Sequence, residues 1–151
     1  MQEANLETAF AEVFADRLLG LPLIGESSLL ARRVGLLSPG YEIVAQQATP
    51  QTPDEVFAFA IAQGLPATAP RGADRQALAI AAGFAEDPLP HSYTWFLQND
   101  RLGEALLRAS IVLGTPAQDG DDLAEALRLF REVGLEDVAR RVALQLLLTG
   151  R

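Results

Sequence analysis

Apolar residues recur three and four positions apart along most of this chain, the period of helices that bury one face. The pattern is clearest between Leu102 and Leu148. There Leu123, Ala126, Leu127, Phe130 and Val133 form one stripe, and Leu135, Val138, Ala139, Val142, Ala143 and Leu146 form another. Gly134 falls between them, where a left-handed cap suits a residue without a Cβ, so the pattern predicts a tight antiparallel hairpin. Upstream, Leu102, Ala105, Leu106, Ala109 and Leu113 predict a third helix, joined to the hairpin by the loop 114–122. A hairpin alone leaves one side of such stripes wet, and the other helices must cover it.

The N-terminal half reads as shorter helices separated by breakers. Leu6, Phe10, Val13, Phe14 and Leu18 predict one apolar face, with Glu3, Glu7, Glu12 and Asp16 opposite, before Gly20 and Pro22 stop the helix. Ser27 is placed to cap a second helix that Gly35 would end, and Ser38-Pro39 reads as the start of a third. Thr52-Pro53-Asp54-Glu55 is a capping box with proline in the first turn, and Val56, Phe57, Ala60 and Ile61 follow it. Residues 66–72 are the most linker-like stretch, a weak internal boundary within a single domain, 1–151. Asp74 then caps a helix through Ala77, Ile80, Ala81 and Phe84. A short aromatic helix spans about 90–98, and Asn99 or Asp100 is expected to cap the next one. The total is eight or nine short helices in consecutive antiparallel hairpins, an all-α chain of α-solenoid-like or irregular orthogonal-bundle form. Ala105, Ala109 and Leu113 recur as Ala139, Ala143 and Leu147 at the 34-residue period of tetratricopeptide repeats, without the aromatic and proline signature of that repeat.

Composition supports helix over sheet, because alanine and leucine dominate and β-branched residues are sparse. A chain of 151 residues can bury roughly 70 % of its unfolded surface and needs no metal or disulfide to fold. It contains no cysteine, which excludes thiolate catalysis and Cys-based zinc. Every basic residue is arginine, a usage that points to a high-GC bacterial genome rather than to a mechanism. The formal net charge of −8 argues against nucleic acid, whose recognition needs basic patches. The apolar run 77–85 is far short of the roughly 20 residues that span a bilayer. With two glutamates and no basic residue among the first nine positions, the start lacks the features of a secretory signal, and the chain is expected in the cytoplasm. Neither end carries a clear capping element, a pattern that a piece of a longer helical protein would share.

Candidate chemistry is sparse. Gly25-Glu26-Ser27 superficially resembles the Glu-Ser of lytic transglycosylases, but Gly35-Leu36-Leu37 follows after only nine residues and lacks that family's glutamine. Asp119-Gly120-Asp121-Asp122 could offer calcium ligands, yet Phe130 stands where an EF-hand needs its twelfth-position glutamate, and an N-cap role accounts for the aspartates. The hairpin at Gly134 places Phe130 and Arg140 where a DNA-binding helix-turn-helix needs small and apolar residues. Glu136–Arg140, Asp137–Arg141, Glu104–Arg108 and Arg128–Glu132 have the i,i+4 spacing of solvated helix faces.

The leading expectation is therefore a non-catalytic helical domain that binds another protein, with no cofactor or metal. The alternative is a small-molecule-binding or hydrolytic domain in which carboxylates meet His91, the single histidine, in a pocket. His91, Trp95 and Asn99 are spaced i, i+4, i+8 on one line of the aromatic helix. Either Trp95 packs into the core, or the line is partly exposed and Trp95 anchors a partner. Leu144, Leu147 and Leu148 widen the apolar surface of the last helix until it is hydrophobic nearly all round, as in a central helix or a homo-oligomer interface.

Overall fold

The computed structural model describes residues 2–115 and 119–149, with side chains from Leu6 onward, and among them there are nine helices and no strand. These are α1 (Gln2–Leu19), α2 (Glu26–Leu37), α3 (Tyr41–Gln47), α4 (Pro53–Ala62), α5 (Arg75–Gly83), α6 (His91–Gln98), α7 (Leu102–Gly114), α8 (Gly120–Glu132) and α9 (Glu136–Thr149). The chain is all-α, as its periodicity predicts.

Several helix ends follow directly from the sequence. Thr52 Oγ1 accepts the Glu55 N–H at 3.1 Å, and the Glu55 carboxylate turns back to accept the Gln51 N–H at 2.7 Å. Asp74 Oδ1 accepts the Ala77 N–H at 2.8 Å. Between α8 and α9, Gly134 has φ 82°, and the Leu135 N–H returns to the Phe130 carbonyl at 2.8 Å, a Schellman closure that leaves no room for a longer loop. Other ends differ from expectation. Asp100, with φ 57°, closes α6 in the same way, so the N-cap of α7 is Arg101, which makes no side-chain cap. Asn99 is the C-cap of α6. Ser38 ends α2 instead of starting α3: its hydroxyl donates to the Gly35 carbonyl at 2.7 Å and accepts the Gly40 N–H at 3.2 Å. Ser27 lies inside α2, whose N-cap is Gly25 at φ 60°. Gly35 does not end α2 but lies buried in its last turn, where a Cβ would stand 2.9 Å from Val44 Cγ2.

Packing is governed by small residues. Helix α9 contacts α1, α2, α4, α5 and α8, and its Ala139 and Ala143 are fully buried, with Leu144 at 1 % exposure beside them. Leu135 and Val138 of the predicted stripe remain more than a third exposed. Helix α7 buries Ala105 and Ala109 and leaves Leu102 exposed. The same preference overturns the reading of α1. It packs on α2 and α9 through Ala11 and Ala15, at 0 % and 2 % exposure, while Leu6, Phe10, Val13 and Phe14 face solvent. A methyl group allows helix backbones to approach closely, whereas the larger side chains would hold them apart.

Polar contacts join helices more often than they decorate single faces. Of the i,i+4 pairs read from the sequence, Glu136–Arg140 forms, at 3.3 Å. Arg128 instead donates to the Ala82 carbonyl at 2.9 Å and pairs with Asp87 at 3.5 Å, and Arg131 donates to the Gly83 carbonyl at 3.0 Å. The two arginines thus supply donors and positive charge to the C-terminal end of α5, where orphan carbonyls concentrate. Asp137 accepts the Tyr41 hydroxyl at 2.8 Å, and Glu104 pairs with Arg101. Arg140 reaches Glu42 at 2.7 Å and lies against Gly64, whose φ of 69° and missing Cβ leave it space.

Close approach also fixes the sign of two glycine substitutions. A Cβ on Gly83 would lie 2.9 Å from Leu127 Cβ and 3.2 Å from the Ala124 carbonyl, whereas one on Gly103 would meet nothing within 4 Å. Gly83→Ala should lose about 1–3 kcal/mol in urea unfolding. Gly103→Ala should gain about 0.4–1 kcal/mol, because it restricts the unfolded chain at a compatible helical position.

Candidate functional site

Helix α6 buries Tyr93, with Phe96, Leu97 and Leu89 packed against the core beside it. Burial raises the Tyr93 phenol pKa. The other line of the helix lies outside. His91 and Asn99 are exposed, and Trp95 is 42 % exposed. The Trp95 ring meets Phe96 edge to face at 5.2 Å and has the Arg101 guanidinium 5.3 Å from its centroid, a cation–π contact. Asn99 Nδ2 donates to the Trp95 carbonyl at 2.7 Å, so part of its donor capacity goes to its own helix. The three residues share a face and line neither of the two cavities described below.

A cavity of about 570 Å³ opens between α2, α4, α5 and α9. Leu29, Leu36, Phe57, Ala58, Leu147 and Leu148 form its apolar wall, and Glu26, Asp54, Glu55 and Asp74 stand at its edge. Leu147 and Leu148 are therefore cavity-lining, whereas Leu144 lies in the core at 1 % exposure. Glu55 is held by Arg32, whose Nε donates at 2.7 Å and whose Nη1 donates to Ser28 Oγ at 2.7 Å. Burial pushes the Glu55 carboxyl pKa upward, but the bonds from Arg32 and the Gln51 N–H outweigh it and hold the group below its ordinary range. At the wall, Arg33 donates to the Leu148 carbonyl. Tyr41, 2 % exposed, has its phenol pKa raised by burial and by the bond to Asp137, which ties α3 to α9.

The third feature is the outer face of α1 and α2. Leu6, Phe10, Val13 and Phe14 are 68, 47, 65 and 40 % exposed, and the Phe10 and Phe14 rings stack at 4.7 Å. Beside them a groove of about 470 Å³ is lined by Leu6, Phe10, Leu30, Val34 and Leu37, with Glu7 and Arg33 at its rim. Periodicity alone assigns these large residues to a core. The signal that marks them as surface is the second line on α1, Ala11 and Ala15, together with the small residue Gly35 on the neighbouring helix.

No family model, curated protein or solved structure matches the chain. Among the described residues no three His, Asp or Glu side chains converge as metal ligands, and no helix is long and apolar enough to cross a membrane. His91 lines neither cavity.

The Arg32–Glu55 pair gives the cavity edge a pH signature. Because the folded pKa of Glu55 lies below its unfolded value, the stabilisation is present above the unfolded pKa, about 4.3, and is lost as pH falls through the folded one. Glu55→Gln should narrow its stability deficit against the wild type as urea unfolding is repeated from pH 7 down to pH 3. A deficit independent of pH would show that the carboxylate form is not what Arg32 holds.

Proposed function

We propose that this chain is a non-catalytic helical interaction module whose docking face is the outer surface of α1 and α2. The observation that supports this reading is the continuous line of exposed Leu6, Phe10, Val13 and Phe14 beside an apolar groove. Scattered apolar side chains are normal on a surface, but a contiguous line bordered by Glu7, Glu12 and Asp16 is the anatomy of a contact site. A protein is the partner such a face suits. The acidic net charge disfavours nucleic acid, and a cytoplasmic module is the form in which we propose it. Trp95, with His91 and Asn99, is a subsidiary contact, smaller in apolar area and already engaged by Arg101.

The cavity between α2, α4, α5 and α9 favours a second reading, a small-molecule site, because its volume is in the range of ligand pockets and its wall is apolar with polar groups at the edge. On that reading Glu55 and Arg32 orient the ligand, and His91 takes no part.

Val13→Glu separates the two. The position is exposed, so circular dichroism and thermal midpoint should stay at wild-type values, while association, with another protein or with itself, is lost. Trp95→Ala should leave that association within a few-fold of wild type. Equal association by wild type and Val13→Glu would overturn the docking reading. A compound screen in which ligands raise the wild-type midpoint, but not that of Leu147→Trp, is the result the small-molecule reading requires.

A further inference from the structure

The pattern of the α1 face itself specifies an occupant, and this inference rests on the docking reading above. Leu6, Phe10, Val13 and Arg17 follow one another at intervals of four, three and four, the spacing of alternating d and a positions along the seam of paired helices. All four are exposed, and the docked line of Ala11 and Ala15 lies on another face, so the seam can be covered without disturbing the fold. We propose that a second copy of this chain covers it, the two α1 helices packing antiparallel about a twofold axis.

In an antiparallel pair, a positions layer against d positions. Centred between Ala11 and Glu12, this stacks Phe10 on Val13 of the second copy, and Val13 on its Phe10, as two apolar central layers. Leu6 then layers against Arg17 at both ends, where the arginine stem covers the leucine and the guanidinium reaches outward. Glu7, next to Leu6 along the helix, stands beside that guanidinium. The arrangement makes two symmetry-related Glu7–Arg17 pairs at the ends of an apolar centre. A parallel pair would instead set Arg17 against Arg17. Arg17 makes no ion pair among the described residues, and Glu7 has a single long contact, 3.9 Å to Arg33, with both side chains exposed. Phe14, stacked on Phe10, and Leu30, 61 % exposed across the groove, widen the contact. With them, two copies bury on the order of 1,000 Å², at the lower edge of specific interfaces, which corresponds to a reversible dimer. The interface is isologous and closes on itself, so it forms dimers and not fibres. It also moves self-association from the end of α9, where Leu144 is buried, to the opposite end of the chain.

Sedimentation equilibrium of the full chain, from micromolar to millimolar concentration, tests the proposal. The wild type should show a monomer–dimer equilibrium, and Val13→Glu should be monomeric throughout with unchanged circular dichroism. Glu7→Arg and Arg17→Glu should each weaken the dimer roughly tenfold, and the two together should restore it, because the exchanged charges face each other again only in the antiparallel pair. A wild type that stays monomeric, a dimer indifferent to Val13→Glu, or a double variant as weak as the single ones would overturn it. If the wild type is monomeric but loses another protein's binding on Val13→Glu, this inference falls and the docking reading stands; if Val13→Glu changes neither, both fall.

Discussion

Close approach of helix backbones at alanine is the constraint on which this structure depends. Ala139 and Ala143 present only methyl groups, so α9 can touch α1, α2, α4, α5 and α8. Each contact removes little area by itself, but the short separation brings neighbouring large side chains such as Leu144, Phe57 and Leu127 into full burial. Directional bonds then fix which way α9 faces. Tyr41 donates to Asp137 from α3, and Arg140 links Glu42 to Glu136, which also accepts from Arg131 on α8. Because these groups sit near the start of α9, its first turn is anchored by polar contacts and its later turns by apolar ones.

The same constraint explains why α1 carries its largest apolar residues outward. Docking through Ala11 and Ala15 lets the helix lie against α2, where a Cβ on Gly35 would stand 2.9 Å from Val44 and 3.1 Å from Leu19, too close for any residue but glycine. Turning α1 to bury Phe10 and Phe14 would lift it from both neighbours. The exposed stripe is thus the consequence of a close helix contact on another face. It leaves the chain the apolar surface on which the proposed docking rests. Among the described residues His91 lies exposed at the start of α6 and lines neither cavity, and the Glu55 carboxylate at the cavity is held by Arg32.

How much of this is legible in the sequence depends on the range of the interaction involved. Thr52, Asp74 and Gly134 were legible because a cap is decided within a few residues, and the α8 stripe was legible because large and small apolar residues fall on one face there. The α1 face was not, since a hydrophobic pattern weights phenylalanine and leucine above alanine and so points to the wrong side. Ser38 and Asp100 looked like helix starts, but each closes the helix before it; the choice turns on backbone geometry that residue type alone leaves open. Arg128, Asp137 and Glu104 found partners other than the i,i+4 neighbours their spacing suggested, because contacts between helices compete with those along one. The cavity wall gathers Leu29, Phe57, Ala73 and Leu147 from four separate regions, which no local pattern can announce.

Helix α1 docks on its alanine line and leaves its apolar stripe free. Urea unfolding of two α1 variants in dilute protein tests it most directly. If Ala11 is the contact, Ala11→Leu should lose about 1–3 kcal/mol through overpacking, while Val13→Ala should change stability by less than about 0.5 kcal/mol. A silent Ala11→Leu together with a costly Val13→Ala would place the stripe in the core and the alanine line outside.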